Sequence, residues 1–244
     1  MKLSYQLYSS RNWPLADTLK MLADTGYSEV EAYGGVLDDV AGFKAATAEN
    51  GLAITSVHMA VADLEADIAG CIALAKDLGV TRIYAPYLQE EERPTDLAGW
   101  TDFAGRLAVI RSAVEAAGFT FGWHNHEFEL VDLGGGRTPL DVIADAGIQM
   151  ELDLGWVHFA GHDVTETIGK YAALIKTAHI KDRAPEGENT DQDGWADVGA
   201  GVIDWAAVFA ALNEAGVDHF VVEHDNPSDH VRFARASYEH LTSL

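Results

Sequence analysis

The stretch AAGFTFGWHNHEFEL, residues 116–130, contains the pattern that decides the fold. A helical segment ends at Gly118, an apolar and aromatic run follows, and polar side chains crowd the far end of that run. Glycine is common just past a helix end because it takes the left-handed backbone conformation without strain. A short apolar run directly after it is typical of a strand that is buried on both faces of a parallel sheet. The stretch therefore predicts one helix-to-strand step of an α/β fold.

The same step recurs along the chain. Other helical segments end at Gly26, Gly51, Gly79 and Gly216, and a β-rich run follows each of them. The sequence predicts eight strands in all, at residues 3–9, 28–33, 53–59, 82–88, 119–126, 148–154, 177–182 and 219–224. Eight units in 244 residues correspond to about 30 residues each, which is the size expected of a (β/α)8 TIM barrel.

The competing architecture is a doubly wound open sheet. The first strand-to-helix turn, YSSRNWP at residues 8–14, lacks the glycine-rich dinucleotide fingerprint that such sheets carry, which favours the barrel. No linker, low-complexity tract or charge block interrupts the chain. We therefore predict an α/β protein with one domain, a (β/α)8 TIM barrel that extends over residues 1–244.

The composition excludes several classes of protein. Acidic residues number 39 and basic residues 16, so a phosphate backbone would be repelled by most of the surface and nucleic acid is not an expected partner. The chain has no run of about 18 apolar residues and no signal-peptide pattern, so we expect no membrane partner and a cytoplasmic location. Cys71 is the only cysteine, which excludes an intrachain disulfide and a cysteine zinc site.

Polar residues mark the ends of most predicted strands, which is where a TIM barrel carries its active site. The residues at or just beyond these ends are Glu31, His58, His124, His126, Glu129, Asp153, His179, Lys181 and Glu223. Each has an ordinary structural reading, such as a hydrogen-bonded histidine or a capping aspartate. Brought together without a cation, however, the carboxylates would repel each other. A set of imidazole nitrogens and carboxylate oxygens suits a divalent transition metal, so the sequence predicts a metal site.

The chain resembles the xylose isomerase-like TIM-barrel superfamily, in the group of sugar phosphate isomerases/epimerases that has inosose dehydratase-like relatives. The segments that carry the resemblance are YQLYSSR, GYSEVEAYGG, SVHMA, HNHEFE, LDLGWVHFAG, AHIKDR, VGAGVIDW and VVEHDNP. They cover essentially the whole chain. Their order and spacing are specific for the superfamily but not for a substrate.

The resemblance implies one divalent metal, with Mn²⁺ expected first and Zn²⁺, Co²⁺, Fe²⁺ or Mg²⁺ as alternatives. It also implies three ligands, at the ends of strands six, seven and eight: Asp153, His179 and Glu223. The fourth ligand departs from the commonest pattern, because the usual glutamate of strand five falls on His124, counted from Gly118. His126 has the same strand parity and is the rival ligand.

A second departure is Trp156, where many relatives have a histidine, and it argues against a trinuclear nuclease site. Members of the superfamily use acid/base residues beside the metal to move a proton. Lys181 has the parity of His179, so it either contacts a substrate oxygen or forms a salt bridge. With Lys181, the candidates for a catalytic role are Glu129, His126, Glu31 and His58.

The segment DVGAGVIDW, residues 197–205, has the look of a phosphate loop before a helix, but we interpret it as a structural turn. Basic residues near the expected site are few, namely Arg93, Lys181 and Arg183. An uncharged sugar, cyclitol or oxidised sugar is therefore at least as well supported as a phosphate ester. We expect a small-molecule carbohydrate or cyclitol as the ligand.

Three functions remain open from the sequence. The first is a metal-dependent isomerase or epimerase that acts on a sugar or sugar derivative through an enediolate. The second is a metal-dependent lyase or dehydratase of a keto-sugar, a 3-oxo-glycoside or an inosose. The third is a non-catalytic carbohydrate-binding barrel, because His124 and Trp156 depart from the common pattern. Relatives pair as dimers or tetramers, so a homodimer or homotetramer is expected.

Overall fold

The structure is a computed structural model, and it describes residues 2–244. Eight parallel strands close into a barrel, and two further short strands form an antiparallel pair outside it. The strands in chain order are β1 (Ser4–Gln6), β2 (Glu29–Ala32), β3 (Ala53–His58), β4 (Arg82–Ala85), β5 (Thr120–His124), β6 (Gln149–Asp153), β7 (Ile175–Ile180), β8 (Asp182–Arg183), β9 (Trp195–Ala196) and β10 (Phe220–Val222).

Helices follow most of the barrel strands. The α-helices of the described residues are α1 (Leu15–Thr25), α2 (Val40–Glu49), α3 (Val61–Ala66), α4 (Ile68–Leu78), α5 (Leu97–Ala116), α6 (Pro139–Asp145), α7 (Leu154–Phe159), α8 (Val164–Tyr171), α9 (Trp205–Glu214) and α10 (His230–Ser243). Short 3-10 helices occupy Leu7–Ser10, Gly34–Val36, Glu90–Glu92, Phe128–Leu130 and Thr190–Gln192. Within residues 2–244, none of the helices combines the length and the apolar composition that crossing a bilayer requires.

The strands lie around the barrel in chain order. β1 to β7 are neighbours in sequence and in space, and β10 pairs with β7 on one side and with β1 on the other. Each strand predicted from the sequence overlaps one observed barrel strand, and seven of the eight contain it; β7 begins at Ile175, two residues before the predicted strand at 177–182. The predicted (β/α)8 TIM barrel and its single domain are therefore confirmed.

The glycines that end helices have the predicted conformation. Gly26 follows α1 with φ 116°, and Gly118 lies after α5 with φ 90°. At Gly26 the requirement is also steric, because a Cβ atom would lie 2.6 Å from the hydroxyl oxygen of Tyr238. A side chain at this position would strain the backbone and displace the packing of α1 against α10.

The barrel strands place apolar side chains outward and polar side chains inward. On β5, Phe121 and Trp123 are fully buried, and the Trp123 ring contacts Phe103 of α5 edge to face, with the ring centroids 5.3 Å apart. Successive side chains of a strand point to opposite faces, so the residues between them face the barrel interior. On β6 the inward series ends with Glu151 and Asp153, both fully buried. The interior of the barrel is therefore a buried polar layer at the C-terminal ends of the strands.

The segment at residues 197–205 is organised around a buried carboxylate. Asp182 Oδ2 accepts hydrogen bonds from the backbone N–H groups of Gly199 at 2.8 Å and Gly201 at 3.2 Å, and from the indole N–H of Trp205 at 2.8 Å. Its other oxygen accepts from the N–H groups of Arg183 and Ile203. The amides that resemble a phosphate loop already bind an anion of the chain itself, which supports the structural interpretation of this segment.

Candidate metal centre

Four side chains from separate strands converge at the C-terminal end of the barrel: His124, Asp153, His179 and Glu223. One ligand atom of each lies within 4.8 Å of the others. His179 Nδ1 is 2.9 Å from Glu223 Oε2, and Asp153 Oδ2 is 3.9 Å from His124 Nε2 and 4.0 Å from His179 Nδ1. Ligand atoms about 2.1 Å from a shared ion are at most about 4.2 Å apart, so these spacings fit a divalent metal.

The environment of Asp153 leaves one carboxylate oxygen for a cation. Its backbone N–H donates to the side-chain oxygen of Asn125 at 2.9 Å, which holds the end of β6 against the end of β5. Its Oδ1 accepts the N–H of Trp156 at 2.8 Å and caps α7. Its buried Oδ2 accepts no hydrogen bond from any described residue, and the Lys181 ammonium lies 3.0 Å from it. A buried carboxylate oxygen that has no hydrogen bond is stabilised by cations, and a metal bound here would contact it beside Lys181.

Lys181 provides a cation beside the four side chains. It is 1% exposed, and its Nζ lies 3.0 Å from Asp153 Oδ2 and 2.9 Å from both Glu223 Oε2 and Asp225 Oδ1. Burial alone would lower the pKa of Lys181, but the three carboxylates hold it well above its usual value. The ammonium group is therefore charged, and it would share Asp153 and Glu223 with a bound metal.

A second polar layer, the inner ring, lies directly below: Glu31 of β2, His58 of β3 and Glu151 of β6. His58 Nε2 is 2.5 Å from Glu151 Oε2 and 3.1 Å from Glu31 Oε1. Gln6 donates to Glu31 Oε1 at 2.8 Å. The two carboxylates are fully buried. The inner ring is therefore a charged layer enclosed by the barrel.

His124 and His179 connect the metal centre to the inner ring. His179 directs Nδ1 to Glu223 and Nε2 to Glu31 Oε1, at 2.9 and 2.8 Å. His124 directs Nε2 toward Asp153, while its Nδ1 lies 3.3 Å from Glu151 Oε2. A metal-bound histidine usually donates its second ring N–H to a carboxylate, which sets the tautomer and the ring orientation. The inner ring has this relation to His179 through Glu31, whereas His124 Nδ1 lies near Glu151 without a hydrogen bond.

The charges of the histidines differ with their neighbours. Burial lowers the pKa of His58, but the carboxylates of Glu31 and Glu151 outweigh that effect and raise it to about 10. Burial lowers the pKa of His124 well below its usual value, and the neighbouring His179 lowers it further. His58 is therefore protonated near neutral pH, whereas His124 is a neutral imidazole, the form that binds a metal.

A cavity of about 1140 Å³ opens above the centre, and His58, His124, His126 and Glu223 line its inner end. The His126 ring lies between Tyr87 and Trp156, with ring centroids 4.9 and 5.2 Å away. Burial lowers the pKa of His126 well below its usual value, and its Nδ1 has no hydrogen-bond partner in the part of the chain that the structure describes. His126 is therefore a neutral imidazole in the cavity wall whose buried Nδ1 has no hydrogen bond from the described residues.

The structure brings together the four predicted ligands and places His58, His126 and Lys181 around them. Glu31 lies one layer deeper than the sequence indicates and does not line the cavity. Glu129 differs most from its predicted place, because the 3-10 helix at Phe128–Leu130 turns its side chain behind β5. There its oxygens accept the Trp123 indole N–H at 2.7 Å and the His126 backbone N–H at 2.8 Å. It holds the turn after β5 rather than contacting a ligand.

Sequence reasoning missed Glu151, Gln6 and Asp225. Glu151 lies two residues before Asp153 in the segment MELDLG, and side chains two apart on a strand face the same way. The sequence therefore predicts that Glu151 also faces the barrel interior. Gln6 likewise faces inward from β1, opposite Glu31. Asp225 follows the predicted ligand Glu223 by two residues and accepts a hydrogen bond from Lys181 at 2.9 Å. No local signal marks its contact with Lys181, since 44 residues separate the two in the chain.

The fold and this cluster define a (β/α)8 barrel with a buried histidine and carboxylate site, suited to a divalent metal, at the C-terminal ends of its strands. The model of the xylose isomerase-like TIM barrel family matches residues 19–244. The chain belongs to this family, which confirms the resemblance seen in its sequence motifs. No curated protein matches it by sequence.

Solved structures have the same fold at low sequence identity. A sugar phosphate isomerase/epimerase from Parabacteroides distasonis is 19% identical, with 100% of this chain and 94% of that chain covered and a TM-score of 0.83. The IolI protein, solved with a zinc atom, is 18% identical, with 100% and 97% covered and a TM-score of 0.78. The 3-keto-D-glucoside 4-epimerase from E. coli is 18% identical, with 100% of both chains covered and a TM-score of 0.72.

Proposed function

We propose that this protein is a divalent-metal-dependent isomerase or epimerase of a sugar or sugar derivative. The observation that carries the proposal is the set of four buried ligand atoms at the inner end of the cavity. The residues that would hold the metal are His124, Asp153, His179 and Glu223. Two nitrogens and two oxygens suit Mn²⁺, Zn²⁺, Co²⁺ or Fe²⁺, and of these we expect Mn²⁺ first. Family membership and the zinc atom of the IolI structure support a divalent metal in this protein.

When bound, the metal supplies a Lewis acid that polarises a carbonyl and a neighbouring hydroxyl of the substrate. The chain supplies the groups that move the proton. His58 and His126 flank His124, each with a ring centroid 5.1 Å from the His124 centroid. His126 presents a neutral nitrogen and would accept the proton from the carbon beside the carbonyl, which leaves an enediolate.

The return of the proton decides the product. If His126 gives the proton back to the neighbouring carbon, and the hydroxyl proton passes to the former carbonyl oxygen, the carbonyl moves and the reaction is an isomerisation. His58 carries a proton, and delivery from His58 to the other face of the planar enediolate inverts one centre and gives an epimer. Lys181 is too buried to exchange protons with the cavity, and in this proposal its ammonium balances the charges of Asp153 and Glu223.

Incubation of the metal-loaded protein with candidate keto-sugars in D₂O tests the proposal. We expect solvent deuterium at one carbon of the product without net loss of water, and neither exchange nor product after the metal is removed with a chelator. An unsaturated product would replace the proposal by the lyase function. A loaded protein that binds the sugars without exchange would indicate the non-catalytic barrel. The Asp153→Asn variant is the matched control, because it keeps the size of the side chain and removes one ligand charge.

A further inference from the structure

The cavity above the metal centre is larger than one sugar ring requires. Its volume of about 1140 Å³ exceeds the roughly 300–1,000 Å³ that is typical of pockets for drug-sized ligands. It extends without interruption from His58 and Glu223 at the barrel end to Cys71 and Leu74 on α4. A monosaccharide bound at the centre would leave the outer part of this cavity filled with water only.

The outer part has an apolar wall, which we call the apolar arm. It is formed by Leu37, Ala66, Gly70, Cys71 and Leu74. Cys71 and Leu74 are three residues apart on α4 and therefore share one face of the helix. Leu37, Cys71 and Leu74 remain partly exposed, although each also packs against the hydrophobic core. An apolar group that covered them would gain the free energy of removing that surface from water.

The charges around the cavity oppose an anionic ligand. Among the described residues that line it, the protonated His58 lies at the inner end, and Arg11 is the one arginine or lysine side chain. The Arg11 guanidinium is already engaged, since it donates to the backbone oxygens of Tyr8 and Asp225 and stacks over the Tyr8 ring at 4.0 Å. Acidic side chains, Asp63 and Asp67, lie beside the apolar arm. A phosphate group in the apolar arm would therefore lie beside these two carboxylates, which disfavours it.

We propose that the cavity binds a glycoside, with a keto-sugar ring at the metal centre and an uncharged, apolar or aromatic substituent in the apolar arm. The position of the ring rests on the proposed function, whereas the position of the substituent rests on the arm alone. The continuity of the cavity from His124 to Cys71 allows one molecule to occupy both ends.

Cys71 makes the test direct, because it is the only cysteine of the chain and lies in the apolar arm. The rate at which a disulfide reagent modifies its thiol is measured with methyl or phenyl 3-keto-β-D-glucopyranoside, a pair that differs only in the substituent. We expect the phenyl glycoside, at about ten times its dissociation constant, to slow the reaction about tenfold, because the thiol then reacts only in the unoccupied fraction of the protein. The methyl glycoside and glucose 6-phosphate should leave the rate within about twofold.

Two variants of Cys71 separate the arm from the ring site. Cys71→Trp fills the arm and should weaken binding of the phenyl glycoside at least about tenfold, with the methyl glycoside unchanged. Cys71→Ser is the matched control and should bind both ligands as the wild type does. Both ligands are measured by calorimetry on metal-loaded protein, and circular dichroism confirms that the variants fold.

Several results would overturn the proposal. Equal affinity for the methyl and phenyl glycosides, tighter binding of glucose 6-phosphate, or a Cys71 thiol that is unreactive because a second copy covers it would each do so. The two proposals fail separately. Protection of Cys71 without deuterium exchange would reject the isomerase and retain the arm, whereas exchange without protection would reject the arm and retain the isomerase.

Discussion

Replacing Glu31 by glutamine should weaken metal binding, although Glu31 is not one of the four proposed ligands. It contacts His179 through Nε2, the ring nitrogen that faces away from the metal centre. Glu31 Oε1 accepts from the Nε2 of His179 and from the amide of Gln6, both at 2.8 Å. Glutamine keeps the shape of the side chain but removes the negative charge from this fully buried position. His179 then loses the partner that keeps its proton on Nε2 and leaves Nδ1 for a metal.

The expected size of the effect follows from these contacts. Loss of a carboxylate partner of a metal-binding histidine typically costs about 10–100-fold in metal affinity. We expect the lower half of this range, because the oxygen of glutamine can still accept one of the two hydrogen bonds. An increase of about tenfold in the dissociation constant corresponds to about 1.4 kcal/mol.

The assay is competition with a chelating dye for Zn²⁺ and Mn²⁺ at constant pH. Glu29→Gln is the matched control, because Glu29 lies on the same strand and faces the same way at the opposite end of the barrel, near His219. We expect its metal affinity to stay within about twofold of the wild type. An unchanged dissociation constant in Glu31→Gln, or an equal loss in both variants, would refute the link through His179.

Three further changes test other parts of the site. Asp153→Ala should leave less than about a tenth of an equivalent of metal after gel filtration, and a variant that retains a full equivalent would place the metal elsewhere. Lys181→Met removes a buried cation 3.0 Å from Asp153 Oδ2, so metal affinity measured with the same dye should rise about tenfold; weaker binding would contradict this. Burial raises the pKa of Glu129 from 4.5 to about 8, so its carboxyl stays protonated in the folded protein while it ionises in the unfolded chain. Between those pH values the free energy of unfolding of the wild type, measured with urea, should therefore fall as the pH rises, relative to that of Glu129→Gln. Parallel curves of unfolding free energy for the two proteins at pH 5 to 8 would contradict the raised pKa.

The barrel and its order of strands were predictable because their signals are local. Gly118 and the apolar run after it report a helix end and a buried strand without reference to any distant residue. The parity of a strand also predicts which side chains face inward, and it brought His124 and His179 to the same layer.

The arrangement within that layer was not predictable, because it depends on contacts across the barrel. Glu151 lies two residues before the end of β6 and faces inward, but its role follows from its contact with His58, which reaches it from three strands away. The direction of Glu129 depends on a single 3-10 turn. The environment of Lys181 comes from β6 and from the segment after β10, which the sequence separates widely.

The buried carboxylate of Asp182 has a consequence for the evolution of specificity in such barrels. Four backbone N–H groups and one indole N–H already point at a single anion that the chain supplies. A relative with a small residue at this position would leave the same five donors without an acceptor from the chain. One substitution thus separates a loop whose donors are satisfied internally from one that needs an external acceptor, and sequence similarity in the loop alone does not distinguish the two.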